Sequence, residues 1–294
     1  IVVRNGANTL PDLLESLRNQ SVRPKQIIMV NNASIDNTLQ NIRTFKKKYG
    51  KTKIITRKVN SIAGGRNDCI HACTTRLLVF TDADCIVPNT WISSLLAGIN
   101  KNNFAKLAAV GGSNTPPPTS FWNTVLGLLL NSPLGTGSSV QGRHFTKPRV
   151  VPHIPCVNVL YKTDALKKVG GFDERFHTMI EDEDLSYRMR RAGWSLLYLP
   201  DISILHDMSA NPAHWAKKMI AYGKGRMNFI IHHPQTIGPK TILPIALLTV
   251  VLLSPIMMLA RIGIGLYVLV LVISCINTAR TTKKIPESAA LFIL

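Results

Sequence analysis

Strand-like and helix-like segments alternate along the first 112 residues of the chain. Short apolar runs such as "KQIIMV" and "RLLVFT" are typical of strands buried in a parallel sheet. Between such runs, "TLPDLLESLRNQ" and "SIDNTLQNIRTFKKKYG" carry apolar residues at helical spacing and begin with residues that can cap a helix. The alternation predicts a doubly wound α/β domain over residues 1–112.

The pattern changes in residues 113–150, which contain "TPPPTS" and "NSPLGTGSSVQGR" and have little periodicity. A loop is expected there, either flexible or a plain linker. Strand and helix signals return after residue 150, with a short helix around Lys162–Val169, a helix at Glu183–Ala192 and the strand "SLLYLP". Residues 113–212 are therefore predicted to form the other half of the α/β domain.

Two long runs without charged residues follow near the C-terminus. The first extends from Ile242 to Ala260, and the second, "IGIGLYVLVLVISCINTA", follows Arg261. Each run is close to the ~20 residues that a helix needs to cross a bilayer, although a buried hairpin of a soluble protein is the alternative. We predict transmembrane helices over residues 241–294, with a tight turn near Arg261 and a third, truncated helix that begins at Ser288.

The charges around these runs predict the orientation of the chain. Arg280, Lys283 and Lys284 follow the second run and would lie on the cytoplasmic side of a cell membrane. Two crossings then place residues 1–240 on the same side. Residues 213–240 contain five Lys or Arg and no acid, interspersed with apolar residues. This segment is predicted to be a basic amphipathic helix lying on anionic membrane lipid.

Composition excludes several classes of protein. The 294 residues include 35 Lys plus Arg and 16 Asp plus Glu, a formal net charge of +19. A hydrophobic fraction of 46% excludes a disordered basic tail. The charge alone would suit nucleic acid, but no RNA-binding motif or aromatic-rich basic face accompanies it, so no nucleic-acid partner is expected. The five cysteines form no CxxC pair, and neither a zinc site nor a disulfide framework is expected.

Two carboxylates, Asp82 and Asp84, follow the apolar run "RLLVFT" directly. Residues two apart on a strand point to the same side, and ligands of open α/β sheets bind at the carboxyl ends of the strands. A pair of carboxylates at that edge suits a hard divalent cation that bridges a diphosphate. A capping turn after a strand is the alternative for any such pair.

Four consecutive acids, at positions 181–184, precede or open a helix that ends with arginines. Complementation of the helix dipole and an Asp184–Arg188 pair would explain Glu183 and the arginines. These interactions do not explain four adjacent carboxylates, whose mutual repulsion is costly unless other groups hold them. One acid at the helix N-terminus could stay ionised and accept a proton from an alcohol.

Several motifs together resemble the glycosyltransferase family 2 enzymes of the GT-A fold. The resemblance extends from Ile1 to about His233 and is closest to the membrane-attached branch, related to succinoglycan-type and archaeal surface-glycan transferases. The matching motifs are "VRNGANTLPDLLESLRNQ", "IIMVNNASIDNT", "GGRND", "FTDADC", "GGFDERF", "EDEDLSYRMRRAGW" and "YGKGR". In this order and spacing the set is specific, although each motif alone is weak.

The resemblance implies a GT-A (Rossmann-like) domain that catalyses an inverting, metal-dependent transfer from a nucleotide-diphosphate sugar. It assigns residues 1–112 to the donor and residues 113–212 to the acceptor. Donor residues would be Asn5, Asn31 and Asn32 at the nucleoside, Arg66 beside the nucleotide, and Asp82 at the ribose or metal. Asp84 would bind Mn2+ or Mg2+, with His206 as a further ligand unless it is structural. Asp182 would be the base, with Glu181 and Trp194 on the acceptor side.

Two departures from the family pattern bear on the substrate. Asn31 stands where many relatives carry an Asp that reads uracil, so UDP, GDP and dTDP all remain open. The QxxRW motif of processive polysaccharide synthases is absent, which favours transfer of a single sugar over polymerisation. We expect a lipid-linked or membrane-proximal glycan acceptor at the cytoplasmic face. A catalytically inactive membrane scaffold is the alternative from another class, and the presence of Asp82, Asp84 and Asp182 argues against it.

Overall fold

Strands form two sheets within the part of the chain that the computed structural model describes, residues 1–102, 106–136, 139–177, 179–208 and 211–293. The strands are β1 Val2–Val3, β2 Ile27–Asn32, β3 Thr52–Arg57, β4 Leu77–Phe80, β5 Cys85–Ile86, β6 Leu107–Thr115, β7 Arg149–Val150, β8 Val159–Lys162 and β9 Ser195–His206. The helices are α1 Leu10–Arg18, α2 Thr38–Lys48, α3 Ile62–Ala72, α4 Trp91–Lys101, α5 Phe121–Asn131, α6 Pro133–Thr136, α7 Thr163–Lys168, α8 Glu181–Arg191, α9 Pro212–His232, α10 Pro239–Leu253, α11 Met258–Thr282 and α12 Ile285–Ala289.

The first sheet is parallel, in the order β1-β2-β3. Its register pairs Val3 with Asn31 and Asn31 with Thr56. Helices α1 and α2 provide the crossovers that parallel pairing requires. The carboxyl ends of β1 and β2 therefore meet at one edge, as the alternation of segments predicts.

The second sheet is mixed, in the order β4-β8-β6-β9-β5, with β7 paired to β9. Strand β4 pairs with β8 in the antiparallel direction. The pairing of β6 with β9 is parallel. This corrects the expectation that "RLLVFT" joins a parallel, doubly wound sheet. A fully apolar run indicates that both faces of a strand are buried, but burial does not determine the direction of its neighbours.

Helices cover both faces of the sheets. One apolar cluster joins residues of α1, α2 and α4, with Leu10, Ile42 and Leu95 fully buried. The other cluster lies under α3, α7 and α8 and contains Phe80 and Tyr198. Burial from both sides fixes the strand ends and the helix starts that form the site described below.

Residues 113–150 contain regular structure where a loop was expected. Strand β6 continues to Thr115, and α5 and α6 follow it. Helix α5 begins at a side-chain cap, because Asn123 N donates to Ser120 Oγ at 3.1 Å. The prolines and glycines on both sides obscure the apolar helical pattern of "FWNTVLGLLL", which explains the wrong prediction. Residues 137–138 of this segment lie outside the described parts.

The C-terminal helices differ from the expectation in where they turn. The chain leaves α10 at Ser254 and enters α11 at Met258, because Pro255 cannot continue a helix. Arg261, where the turn was expected, lies one turn inside α11. Its Nε and Nη2 donate to the carbonyl oxygens of Ser254 and Pro255 at 2.9 and 2.8 Å, which satisfies carbonyls that the broken helix leaves free.

Among the described residues, α11 is the helix that is long and apolar enough to cross a membrane by length and composition. The apolar part of α10, Thr241–Leu253, is shorter. The expected third span corresponds to the five-residue α12 and a 3-10 turn at Ala290–Phe292, which contact α5. A single apolar helix is consistent with membrane attachment, while the multi-pass arrangement stays a prediction.

Candidate functional site

A cavity of about 490 Å3 opens at the carboxyl ends of β1, β2 and β4. Five residues that were predicted to bind the nucleotide sugar or the metal line it: Asn5, Asn32, Arg66, Asp82 and Asp84. The strand ends of two different sheets therefore converge where the sequence pattern places a ligand edge.

The β1 end is tied to the turn after β2 by Asn5. This residue has a φ of +52°, a left-handed conformation that Asn tolerates better than most residues. Its Oδ1 accepts from Ile35 N at 3.0 Å, and its own N–H donates to Ser34 Oγ at 3.1 Å. The loop at one end of the cavity is thereby fixed by polar contacts between distant segments.

The two asparagines of β2 behave differently. Asn32 uses both ends of its amide, since Nδ2 donates to Asn60 Oδ1 at 2.8 Å and Oδ1 accepts from Ser61 N at 3.1 Å. Asn31 is buried beside the cavity without lining it, and its Oδ1 has no hydrogen-bond partner among the described residues. Asn32 therefore supports the start of α3, while Asn31 keeps an unused acceptor.

Arg66 joins the two acidic clusters. It lies in α3, whose first turn is capped by Ser61 Oγ accepting from Gly64 N at 3.0 Å. The side chain is 7% exposed; Nη2 lies 3.4 Å from Asp82 Oδ1, and Nη1 donates to Glu181 Oε1. One buried guanidinium therefore connects carboxylates that are about a hundred residues apart in sequence.

Asp84 faces His206. Antiparallel pairing of β5 with β9 sets Cys85 opposite His206, so the imidazole lies beside the preceding carboxylate. His206 Nε2 is 3.3 Å from Asp84 Oδ1, and His206 Nδ1 is 3.0 Å from Asn114 Nδ2. Burial opposes ionisation of Asp84, but the neighbouring imidazole of His206 leaves the pKa of this carboxyl below its ordinary value.

These groups fit a hard divalent cation. Ligand atoms of Asp84, Cys85 and His206 lie within 4.8 Å of one another, and the buried Asp84 Oδ1 has no hydrogen-bond partner within the described ranges. Carboxylate and imidazole suit Mn2+, and carboxylate suits Mg2+. Burial raises the pKa of the Cys85 thiol well above its ordinary value, so this thiol stays protonated and is a poor ligand. Asp82 lines the same cavity but turns one oxygen toward Arg66.

The two acids that open α8 point inward. Glu181 is buried against Arg66, and burial raises its pKa to about 6. Asp182 accepts from its neighbour Glu183 N at 2.8 Å through Oδ1 and from Cys156 N at 3.2 Å through Oδ2. Burial alone would raise the pKa of Asp182, but the charge and contact of His153 hold it well below the ordinary range. The carboxylate of Glu181 therefore faces Arg66, and its expected place on the acceptor side stays a prediction.

The next two acids point toward α9. Both carboxylate oxygens of Glu183 accept from Arg226 at 2.6 Å. Asp184 accepts from Arg188 at 2.8 Å and faces His233 at 2.7 Å. The expected Asp184–Arg188 pair is confirmed, but Glu183 is held by α9 rather than by the helix dipole alone. Each of the four consecutive carboxylates has its own partner, which offsets their mutual repulsion.

Helix α9 contributes side chains to the region around Asp84 and Asp182, although this segment was predicted to lie on lipid. Lys218, Tyr222 and Arg226 follow one another at a spacing of four residues and so lie on one helix face. Burial lowers the pKa of Lys218, while Asp84, Asp82 and Asp207 oppose that change. Burial raises the pKa of Tyr222 to about 12, with Asp182 adding to the rise. The four-residue spacing is a signal that could have identified this face.

Two further residues differ from their sequence predictions. Trp194 lies beyond the C-terminal end of α8, which ends about 14 Å along the helix from Asp182, and its ring centre is 5.6 Å from Lys168 Nζ. It lies outside the group that surrounds the cavity. His153 was not singled out, because the loop "VPHIP" has no periodic pattern that would indicate a partner.

Comparison with known proteins agrees with this geometry. Residues 1–170 match the model of the family described as glycosyl transferase family 2. The chain is 29% identical over 182 residues, 60% of its length, to the pre-mycofactocin glycosyltransferase of Mycobacterium tuberculosis, and covers 36% of that protein. It is 27% identical over 241 residues to the succinoglycan biosynthesis protein ExoA of Rhizobium meliloti, covering 78% of this chain and 68% of the relative. The chain thus spans about a third of the length of the mycobacterial relative.

A solved structure extends the likeness to nearly the whole chain. The mannosyltransferase PcManGT from Pyrobaculum calidifontis, in complex with GDP-Man and Mn2+, superimposes with a TM-score of 0.60 at 16% identity. The match covers 99% of this chain and 83% of the neighbour. At that identity the likeness concerns the fold, and it confirms the expected GT-A architecture. The family match covers more than half of the chain, and the chain belongs to glycosyltransferase family 2.

Proposed function

We propose that the chain transfers a single sugar, with inversion, from a nucleotide-diphosphate sugar to a lipid-linked or membrane-proximal glycan acceptor at the cytoplasmic membrane face. The observation that carries this proposal is the position of Arg66, which contacts Asp82 on one side and Glu181 on the other. Arg66 also lines the 490 Å3 cavity, so a donor bound there would lie beside the residues that open α8.

The donor would lie with its nucleoside toward Asn5 and the asparagines of β2. The unused Oδ1 of Asn31 and the cavity-lining Asn32 are available to a base edge, and an amide offers both donor and acceptor. UDP-, GDP- and dTDP-sugars all remain candidates. GDP-Man bound to the archaeal neighbour supports a nucleotide sugar as the class of ligand.

Mn2+ or Mg2+ would be held by Asp84 and His206, with Asp82 beside them, and would supply positive charge to the leaving diphosphate. The unpartnered buried oxygen of Asp84 supports this role. Lys218 lies near the same carboxylates and would add a fixed cation at that end of the cavity.

Asp182 would act as the general base. Its carboxylate is ionised, and Oδ1 accepts one hydrogen bond, from Glu183 N, which leaves room for an acceptor hydroxyl. The hydroxyl oxygen attacks the anomeric carbon opposite the diphosphate, its proton passes to Asp182, and the bond to the diphosphate breaks. Attack from the opposite face gives inversion in one step.

Membrane attachment is proposed from the C-terminal helices. The apolar α11 would span or enter the bilayer, and the exposed lysines of α9 would contact anionic lipid while its other face holds α8. A lipid-linked acceptor would then approach Asp182 from the membrane side.

The test is a transfer assay with the full chain in nanodiscs that contain anionic lipid. UDP-, GDP- and dTDP-sugars are supplied with Mn2+ and a membrane lipid extract, and release of nucleoside diphosphate and product length are measured. We expect one donor class to give single-sugar products. Asp84→Ala and Asp182→Asn should each lower turnover by about 10²- to 10⁴-fold. Asp164→Asn, an exposed acid in the first turn of α7, is the matched control and should retain activity.

Two outcomes would contradict the proposal. Full activity in Asp182→Asn and Asp84→Ala would remove the assigned roles. Donor-induced thermal stabilisation without turnover for every donor and acceptor would indicate a membrane scaffold that has kept the binding cavity.

A further inference from the structure

His153 lies against the oxygen of Asp182 that the Cys156 amide also contacts. Its Nε2 is 3.4 Å from Asp182 Oδ2, and the two side chains are 20% and 21% exposed. The Nε2 atom itself is buried and has no hydrogen-bond partner among the described residues. The contact with Asp182 is therefore one of charge and packing rather than an aligned hydrogen bond.

The segment that carries His153 is held firmly. Val151 N donates to Leu196 O at 2.9 Å on one side, and Cys156 N donates to Asp182 on the other. Ile154 and Cys156 are fully buried between them. The position of the imidazole relative to α8 is thus set by packing on both sides.

The two oxygens of Asp182 have different surroundings. Oδ2 accepts from Cys156 N and faces His153, whereas Oδ1 accepts from Glu183 N alone. Each oxygen accepts one backbone hydrogen bond, but the imidazole lies 3.4 Å from Oδ2, so Oδ1 is the less crowded of the two. The environment selects one oxygen for an incoming hydroxyl.

Several charged and titratable groups face this pair. Glu181, Asp182 and Glu183 of α8 act on His153, while Arg66 of α3 and Tyr222 of α9 act on Asp182. Burial lowers the pKa of His153, but the three carboxylates outweigh it and raise the pKa above the ordinary 6.5.

We propose that His153 is a positioning residue for Asp182: it occupies Oδ2, directs the acceptor hydroxyl to Oδ1, and sets the strength of the base by its own protonation state. The inference rests on the proposed role of Asp182. A protonated imidazole forms an ion pair that withdraws electron density from the carboxylate and weakens it as a base. A neutral imidazole leaves the carboxylate more basic.

Sugar transfer should therefore increase with pH as His153 loses its proton. In the transfer step the acceptor O–H bond breaks and its proton moves to Asp182 Oδ1. A bond forms between the acceptor oxygen and the anomeric carbon, and the electron pair of the broken bond leaves with the diphosphate. His153 takes no part in the bonds that form or break.

The first experiment compares the pH dependence of kcat for the wild type and His153→Gln, using the full chain in nanodiscs and the donor that gives turnover. Gln keeps a neutral donor near the position of Nε2. We expect the wild-type rate to rise with a midpoint above 6.5, and this rise to be lost in the variant. The plateau kcat should fall on the order of tenfold, less than the 10²–10⁴ expected for loss of the base, with donor KM nearly unchanged.

The matched control is His144→Gln. His144 is an exposed histidine whose Nδ1 lies 3.1 Å from Ser113 Oγ, without a carboxylate partner in its described contacts. It should keep the wild-type pH profile. Glu181, whose pKa is raised to about 6, would leave a residual acidic limb in both variants. A wild-type profile in His153→Gln would overturn the proposal.

The second experiment needs no turnover. Nuclear magnetic resonance of 15N-labelled histidine rings in the full chain gives the pKa of His153, assigned by comparison with His153→Gln or His153→Asn. We expect a value above 6.5 in the wild type and a fall in Asp182→Asn. An unchanged value would overturn the pairing. If the pair titrates as expected but no donor is turned over, the proposed function fails and the pairing remains.

Discussion

The metal edge and the acid turn occupy neighbouring positions but are built in different ways. The metal edge, formed by Asp82, Asp84 and His206, depends on one strand end and one register, the pairing of β5 with β9. The acid turn, residues 181–184, depends on partners from α3, the segment before β8, and α9. The metal edge therefore needs one long-range strand pairing, whereas the acid turn needs partners from three separate segments.

Removing Arg66 should have the largest effect, since it joins the two regions. Arg66→Met leaves Glu181 buried without its cation, which we expect to cost about 3–5 kcal/mol of unfolding free energy. Turnover should fall as well, because Asp82 and Glu181 both lose their contact with the same guanidinium. Thermal unfolding and the transfer assay measure the two effects.

The control for Arg66 is Arg57→Met, which breaks the more exposed pair with Asp68 and should cost about 0–1 kcal/mol. The double variant Arg66→Met/Glu181→Gln should recover part of the lost stability, because no unpaired charge remains. Equal losses in the single and double variants would contradict the explanation by an uncompensated carboxylate.

Changing His206 should separate the regions. His206→Ala is expected to weaken Mn2+ affinity by about 10- to 100-fold, measured by electron paramagnetic resonance of free Mn2+. The pKa of His153 should stay unchanged, because the acid turn keeps all its partners. Cys85→Ala, which removes a buried protonated thiol beside His206, should retain the wild-type Mn2+ affinity. A change in the pKa of His153 in the His206→Ala variant would mean that the two regions are not independent.

Breaking the Arg226–Glu183 pair tests the outer half of the acid turn. Arg226→Met should cost about 0.5 kcal/mol, since the arginine side chain is 42% exposed and solvent screens the pair. Turnover should fall only a few-fold. Lys224→Met, an exposed lysine on the same helix, is the control and should change neither quantity. A loss as large as that of Arg66→Met would indicate that α9 is essential to the turn.

Acid stability gives a further test of the acid turn. The pKa of Asp182 is held well below 3.8 in the folded chain, so the unfolded chain binds this proton at higher pH. The stability from Asp182 is complete above 3.8 and is lost as pH falls toward the folded pKa. Between about pH 5 and pH 2, the free energy of unfolding should therefore fall less in Asp182→Asn than in the wild type. Circular dichroism at each pH measures this free energy. A wild-type slope would contradict this pairing, and Asp164→Asn should keep the wild-type slope.

The sequence predicted the parts of the site that depend on local pattern. Asp82 and Asp84 follow a buried strand, and the acids at α8 precede a helix, so both clusters could be found without coordinates. Arg66 contacts both Asp82 and Glu181, so the two clusters lie close together in the fold. Their chemical roles stay predictions until the assays are done.

The remaining features depend on information that no local pattern carries. The apolar run of β4 predicted a buried strand, but it did not predict that the strand pairs with β8 in the antiparallel direction. His153 lies in a loop whose position is set by tertiary packing, and Trp194 follows the correct helix at the wrong end. The turn after α10 was predicted near Arg261, the charged residue between the two apolar runs. Pro255 instead determines where the helix breaks.

The partners of the acid turn also determine when the site can form during synthesis. Its partners lie 115 residues before Glu181 and up to 49 residues after Asp184. Contacts of such separation form late, because the chain must close long loops before gaining them. On a ribosome the four carboxylates emerge before Arg226 and His233, and their repulsion persists until α9 follows. A nascent chain therefore acquires its complete acid turn only after α9 and the residues up to His233 have been made.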